Sequence, residues 1–379
     1  MSKKKVGLLT LVGTRYNNNI GAILQAYALQ NTIEKLVFDC EIIDFEPPIN
    51  TKKSFTGNLV RSIKFHGFKW TLFEMFGATL RLKEKKKILE SYNNFKKAYL
   101  NFTSQTFENK ERLKHLDYDI YVVGSDVVWS PKHDIEALKV YLLEFVKNKK
   151  KVSYAASVWH PIPDELCFIY KNLLRDFDFI SVREKTSAKY LKRCGIEIDP
   201  DIVLDPTLLL SKEEWKKISK PPEKTIKKPY IMLYDVHLAK GLLSKVFSIA
   251  NKKGVNIVTR YPLFIKLNHS KVYSFYSPTE FLWLVENAEY VITTSFHGTI
   301  FSVLFRRPFY SIKPGTAPAN KIIDFLKRIG LEDRFVQNPK ELESLSFDDD
   351  IDWKTTEKRL KREITHSLQF LKKALKEGY

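Results

Sequence analysis

Short apolar runs recur along this chain, each followed by a polar turn and then by a stretch with apolar residues at helical spacing. Runs of this kind read as strands covered on both faces, and the stretches between them as helices. Val6 to Val12 is the first such strand. A polar turn with Asn17-Asn18-Asn19 leads into a helix from Gly21 to Leu36, with Ala22, Leu24, Gln25, Ala28, Leu29 and Ile33 in register. Cys40 to Asp44 is the next strand, closed by Pro47-Pro48. Four more follow: Tyr118 to Val123, Lys151 to Ala156, Phe177 to Val182 and Ile202 to Leu204. They end in Gly124-Ser125-Asp126, Ser157, Arg183-Glu184 and Asp205-Pro206-Thr207. In a parallel sheet those ends share one edge, so their polar residues face one cleft. Ser211 to Lys228, with Pro221-Pro222 and many lysines, reads as a linker.

A second α/β unit then begins. Its strands are Tyr230 to Tyr234, Val255 to Thr259, Tyr290 to Thr293 and Pro308 to Ile312. Helices are expected over Leu238 to Lys252, from Ser277-Pro278-Thr279-Glu280 to Asn287, and over Ala319 to Gly330. Ser277 and Glu280 have the spacing of a capping box, with proline at the first helical position. Trp353 to Lys376 is a long basic amphipathic helix placed to cross back to the first unit. The fold class is therefore α/β. A first domain spans 1–210 with a helical insertion at about 51–116, a second spans 229–335, and a terminal helix lies in 350–379.

The stretch from Glu289 to Phe309 concentrates the candidate chemistry. A buried strand runs into Thr294-Ser295, which are turn and cap types, and a helix is expected to open at Gly298. His297 then stands where a strand's carboxyl end meets a helix's amino end, the usual ligand position in open α/β sheets. Free N–H groups and the helix dipole favour an anion there. His297 as a plain helix cap or packing residue is the alternative.

Composition narrows the class. The chain has 379 residues, of which 44% are hydrophobic, so two domains with proper cores are expected. A formal charge of +19 suits polyanions, an anionic membrane face or phosphorylated substrates. No RNA- or DNA-binding motif accompanies it, so nucleic acid is not an expected partner. Neither G-x-G-x-x-G nor a Walker A lysine occurs, so no nucleotide cofactor is indicated. Cys40, Cys167 and Cys194 have neither metal-ligand spacing nor a disulfide framework, which points to a reducing cytoplasm and to no metal. Asn58 to Leu82 interleaves Phe65, Phe68, Trp70 and Phe73 with Arg61, Lys64 and Lys69. Such a stretch packs as an ordinary helical insertion or lies peripherally on the inner face of the cell membrane.

The residues also carry a resemblance. Asn19-Ile20-Gly21-Ala22 with Leu24-Gln25-Ala26, Gly124-Ser125-Asp126-Val127-Val128-Trp129, Ser153-Tyr154-Ala155-Ala156-Ser157, Ser181-Val182-Arg183-Glu184, Leu204-Asp205-Pro206-Thr207 and Thr294-Ser295-Phe296-His297-Gly298-Thr299 occur in one order over about residues 5–335. In this the chain resembles the polysaccharide pyruvyl transferase family. The resemblance implies two Rossmann-like domains facing a cleft, similar to GT-B glycosyltransferases. It also implies phosphoenolpyruvate as donor and co-substrate, a sugar or lipid-linked saccharide as acceptor, and a pyruvate ketal as product.

That chemistry needs a proton donor, a base and cations for a small doubly acidic donor. His297 is the expected acid–base group, since histidine titrates near neutral pH, and Asp126 a further base. Arg183, Ser295, Gly298, Thr299, Lys321 and Arg334 are expected on the donor. Asn19, Gly21, Ser125, Trp129 and Ser157 are expected on the acceptor. Some family members carry arginine where this chain has Ser295, so Arg183, Lys321 and Arg334 are the cations left to hold the donor. Two rival readings share the fold: a glycosyltransferase using a nucleotide sugar, with Asp235 or Glu280 near the ribose, and a non-catalytic module for anionic glycans or lipid-linked sugars.

Overall fold

The computed structural model describes residues 3–12, 19–47, 86–236, 239–260, 272–275, 277–315, 318–347 and 350–377. In the first half the elements are β1 (Lys5–Leu9), α1 (Ile20–Lys35), β2 (Asp39–Ile42), α2 (86–99), α3 (Lys110–Leu113), β3 (Ile120–Val123), α4 (Ile135–Tyr141), β4 (Lys150–Ala156), α5 (Asp164–Leu174), β5 (Phe179–Val182), α6 (Lys185–Arg193) and β6 (Asp201–Ile202). A 3-10 turn (Pro206–Leu208) and α7 (Lys212–Ile218) lead to the second half. There follow β7 (Tyr230–Tyr234), α8 (Leu242–Lys253), β8 (Asn256–Thr259), β9 (Val272–Ser274), α9 (Pro278–Asn287), β10 (Tyr290–Thr293), α10 (Phe296–Leu304), β11 (Phe309–Ile312), α11 (Asn320–Ile329), β12 (Phe335–Val336) and α12 (Trp353–Lys376).

Each half builds a six-stranded sheet in which every described pairing is parallel. The spatial order is β2-β1-β3-β4-β5-β6 in the first and β12-β11-β10-β7-β8-β9 in the second. The central strands β3 and β10 are buried along their whole length, as their β-branched and aromatic residues require. In each sheet the chain reverses its direction of growth once. That switch falls between β1 and β3 in one lobe and between β7 and β10 in the other. The crevice beyond the strands' carboxyl ends opens there in both lobes.

Three elements tie the lobes together. Helix α1 is apolar around most of its circumference, as a helix buried on several sides must be. The α7 indole of Trp215 is fully buried, packs against Tyr27 of α1 and Phe301 of α10, and donates its N–H to the Thr207 carbonyl at 3.0 Å. Helix α12 returns to the first lobe. Its Ser367 hydroxyl accepts from the Leu204 N–H at 2.9 Å, and Phe370 packs on Tyr154 and Phe179.

Several expectations need correction. The stretch 211–228 is not a plain linker: Ser211 and Glu214 form a capping box that starts α7, and Trp215 makes it a wedge between the lobes. Helix α10 begins at Phe296 rather than Gly298, because the Ser295 hydroxyl caps it. Cys167 and Cys194 form a disulfide, 27 residues apart in sequence, which joins α5 to the end of α6. The chain spacing hides this because the Cα atoms are brought to 5.0 Å only by helix packing. Within the expected helical insertion, Phe102 and Phe107 form β-bridges to Ile42 and Phe45, so that part is extended. The basic aromatic stretch Asn58 to Leu82, with Arg61, Lys64 and Lys69, lies outside the described residues. No described helix is long and apolar enough to cross a membrane.

Candidate active site

The two switch points face each other across a cavity of about 450 Å³. Its walls come from the carboxyl ends of β1, β2 and β3 on one side and of β7, β8 and β10 on the other. Thr10, Asn19, Asp44, Glu46 and Asp126 line the first wall; Tyr234, Arg260, Ser295 and His297 line the second, with Lys321 and Trp159 also on the cavity.

His297 occupies the second position of α10 and is nearly buried. Its Nε2 lies 3.4 Å from Asp205 Oδ2, at the end of β6 on the opposite lobe. That contact lacks the geometry of a good hydrogen bond but has the range of an ion pair. A carboxylate beside Nε2 favours the tautomer with its hydrogen there, leaving Nδ1 as the acceptor. Nδ1 faces α1, where Gly21 makes room for it: a Cβ on Gly21 would overlap the ring. Gly21→Ala is therefore expected to push the ring or the lobes apart and cost about 1–3 kcal/mol. Thermal denaturation measures this, and a wild-type melting temperature would mean the lobes rest farther apart in solution.

Asp205 is held from every side. Oδ2 accepts from Arg183 Nη1 at 2.9 Å, and Oδ1 accepts from the Thr207 N–H and hydroxyl at 3.1 and 2.7 Å. Burial alone would raise its pKa, but His297, Arg183 and Thr207 outweigh that and hold the carboxyl well below the usual range. Asp126 sits at φ +68 where β3 ends, and its Oδ1 accepts from Arg183 Nη2 at 3.3 Å. Burial raises its pKa too, yet Arg183, Lys321 and His297 bring it below the ordinary value.

Arg183 thus gathers Asp126, Glu184 and Asp205 around one guanidinium, with its Nε 3.4 Å from Glu184. Glu184 in turn accepts from the hydroxyls of Ser157 and Ser187. Arg183 Cζ also lies 4.8 Å from the centre of the Phe296 ring, and Lys321 Nζ lies 5.7 Å from it. Cations from both lobes therefore clasp the residue before His297.

Acid should loosen this cluster. The folded carboxyls of Asp126 and Asp205 are more acidic than in the unfolded chain, where the value is about 3.9, so protons bind the unfolded state first as pH falls. Their stabilisation is complete above about pH 4 and is lost progressively below it. The urea midpoint is expected to fall over that range, and Asp205→Asn to flatten the fall.

Lys321 is the cation best placed to meet a ligand. It makes no ion pair within 4.0 Å among the described residues, and its Nζ lies 5.0 Å from the centre of the Trp159 ring. Burial first, and Arg183 second, hold its pKa below the ordinary lysine value, with the nearby acids opposing. Trp159 Nε1 is a buried donor with no partner among the described residues. Arg260 reaches the same cavity from β8 and donates to the Tyr92 hydroxyl of α2 at 3.2 Å.

The structure redistributes the expected roles. His297, Asp126, Ser295, Lys321 and Asn19 line the cavity. Asn19 caps α1 by accepting from the N–H groups of Gly21 and Ala22. Arg183, expected on a donor anion, faces three carboxylates instead. Arg334 is buried at the amino end of β12, the end away from the cleft, beside Asp333 and the Tyr310 hydroxyl. Trp129 is a core residue whose indole N–H goes to the Tyr141 carbonyl at 3.0 Å. Ser125 and Ser157 are fully buried, bonded to Ala155 and Glu184 respectively.

The helix end offers less than expected. Gly298 gives its N–H to the Ser295 hydroxyl and is glycine because a Cβ would overlap Thr293. Thr299 is buried and bonds to the Ser295 carbonyl and Ser311. Asp235 accepts from Thr294 and the Ala239 N–H, and Glu280 closes its capping box, so both serve local structure. The sequence reading passed over Arg260, Trp159 and the His297–Asp205 contact. Asp205 had a visible signal, its place at a strand end. Arg260 had the same signal, directly after the strand Val255 to Thr259, and Trp159 follows closely on the strand Lys151 to Ala156.

A search of curated proteins by sequence found no match. Among solved structures, the fold is similar to a UDP-GlcNAc 2-epimerase from Methanocaldococcus jannaschii in complex with UDP-GlcNAc and UDP. The TM-score is 0.53 and the identity 14%, over 95% of this chain and 99% of that one. A putative UDP-N-acetylglucosamine 2-epimerase from Listeria monocytogenes gives a TM-score of 0.57 at 12% identity, over 100% and 98% of the two chains. An S. aureus MnaA–UDP structure gives 0.53 at 10% identity, over 96% and 91%. At such identities the likeness shows the fold alone, two parallel-sheet domains of the GT-B type. The sequence itself says more. The profile of the polysaccharide pyruvyl transferase family matches residues 19–315, a stretch that includes the second lobe's switch point and the whole Arg183–Asp205–His297 cluster. With most of its length matched in this way, the chain belongs to the polysaccharide pyruvyl transferase family.

Proposed function

We propose that the protein moves the pyruvyl group of phosphoenolpyruvate onto two hydroxyls of a sugar, forming a cyclic ketal and releasing phosphate, with His297 as the acid–base group. The observation that carries this reading is the meeting of His297 and Asp205 from opposite lobes, beside a cavity that also holds Lys321 and Arg260. A histidine oriented by a buried carboxylate, next to cations, suits proton transfer to a doubly acidic donor.

The steps balance as follows. The imidazolium protonates the methylene carbon of phosphoenolpyruvate, which becomes a methyl group and leaves an oxocarbenium-like centre at the neighbouring carbon. One sugar hydroxyl adds there and returns its proton to the imidazole. The bond from that carbon to the phosphate oxygen then breaks, and phosphate departs with a proton. The second hydroxyl closes the ring and gives up its own proton. Of the two hydroxyl protons, one ends on the methyl group and one on phosphate.

Lys321 and Arg260 would hold the carboxylate and phosphate, and the Trp159 N–H would supply a further donor. Lys321 starts partly desolvated, so an arriving dianion stabilises its charged form. Asn19, Asp44 and Glu46 on the opposite wall can accept hydrogen bonds from sugar hydroxyls. Asp126 is already held by Arg183, so it acts by fixing the cluster's charge.

The test is incubation with phosphoenolpyruvate and a panel of free and lipid-linked sugars. Phosphate release and the product mass are read together. Release with a pyruvate ketal on the sugar is the expected result. No release with any acceptor, combined with turnover of a nucleotide sugar, would replace this reading with glycosyl transfer.

A further inference from the structure

We propose that the solvent face of α12 is a docking surface for an anionic phospholipid bilayer. This rests on observations apart from the cavity and does not depend on the reaction above. The helix carries eight lysines and arginines against two glutamates, Glu357 and Glu363. Both glutamates are paired with cations outside the helix, Glu363 with the largely buried Arg328 and Glu357 with Arg306 at the surface. All eight basic residues are exposed.

Their spacing makes one continuous stripe. Lys354, Lys358, Lys361, Lys372 and Lys376 recur along a single face, with Thr365 and Gln369 filling the same row between them. Twenty-two residues of helix make that row about 33 Å long. None of its five lysines makes an ion pair among the described residues. The buried side of the helix explains why the row is straight and outward. Thr356, Leu360, Ser367, Phe370, Leu371, Ala374 and Leu375 hold the opposite face on the protein.

Charge and shape select the partner. A cluster of this many basic residues on an amphipathic helix fits an anionic lipid surface. The exposed positions of α12 include no Phe, Tyr, Trp or aliphatic residue, so nothing is placed to enter the acyl region, and its one exposed ring, His366, lies off the lysine row beside Asp201. The helix would rest on headgroups and not insert. Contact of that kind acts within a Debye length, about 10 Å at 0.1 M salt, and weakens as salt rises.

The experiment is co-sedimentation of the full chain with phosphatidylglycerol–phosphatidylcholine vesicles and with pure phosphatidylcholine vesicles. Binding to the first and not the second is expected at about 0.1 M salt, and loss of binding at about 0.5 M. The variant K354Q/K358Q/K361Q/K372Q/K376Q should bind at least about tenfold more weakly, with an unchanged melting temperature. A control of equal charge, K189Q/K192Q/K217Q/K220Q/K227Q, alters exposed lysines elsewhere and should keep most of the binding. If the stripe variant does not fold, K358Q/K361Q carries the comparison with a smaller expected loss. Equal losses in stripe and control would assign the attraction to net charge and overturn the proposal. So would absence of binding to anionic vesicles, or stripe-dependent binding to duplex DNA without binding to vesicles.

Discussion

If the proposed reaction holds, His297→Asn is expected to lower phosphoenolpyruvate-dependent phosphate release by about 10²–10⁴-fold, the range for removing a positioned acid–base group. Asparagine keeps a polar side chain of similar width against Gly21 but cannot carry a proton between atoms. Asp205 does not lose its support in this variant, because Arg183 and Thr207 still bind both of its oxygens. The melting temperature should therefore stay near that of the wild type. That separation of activity from stability is the diagnostic result. Retention of more than about a tenth of the wild-type rate would take the proton-transfer role from His297. Asp205→Asn gives the companion measurement. It keeps the shape but removes the charge beside Nε2, so turnover should fall less than for His297→Asn while KM changes little.

Arg183→Met is expected to destabilise the protein by at least about 3–5 kcal/mol, the usual cost of breaking a buried ion pair by removing one partner. Three carboxylates converge on this guanidinium, and the side chains of Arg183 and Asp205 are 2% and 0% exposed. Methionine fills the space of the stem but leaves Asp126, Glu184 and Asp205 facing one another in a largely buried site. Chemical denaturation of Arg183→Met beside the wild type measures the loss. Adding Glu184→Gln should recover part of it, since one uncompensated charge is removed. A loss under about 1 kcal/mol would mean the cluster is open to water and Arg183 is free for another task. In that event Arg183→Lys should raise KM for an anionic donor with little effect on stability.

These two variants separate residues that a motif joins. Arg183 and His297 both stand at strand ends and both suit an anionic donor when read along the chain. Folding gives them different work. Arg183 is consumed by acids that come from β3, β5 and β6 of its own lobe. His297 arrives from the other lobe and meets that acid cluster through Asp205. Ser125, Trp129, Ser157 and Thr299 illustrate the same point. Each belongs to a recognisable motif, and each makes its hydrogen bond inside the protein.

Local pattern was enough for much of the architecture. The bounds of β7, β10 and α12 coincide with the apolar runs and helical spacing that announce them. The capping box at Ser277 was legible because its four residues need only each other. Where a contact bridges distant segments, the pattern was silent. The Trp215 wedge, the Cys167–Cys194 bond and the Gly21–His297 approach all join residues that chain distance keeps apart.

The order of residues alone therefore determined that two α/β units form, that their strands run parallel, and that polar groups collect at the strand ends. Hydrophobic period and capping are local quantities, and a single chain displays them. Which of those polar groups face the cavity was decided only by the packing of one lobe on the other. Burial and charge pairing there depend on neighbours a hundred or more residues away, as Ser125 with Gln25 and Leu204 with Ser367 already show within the first lobe and its returning helix.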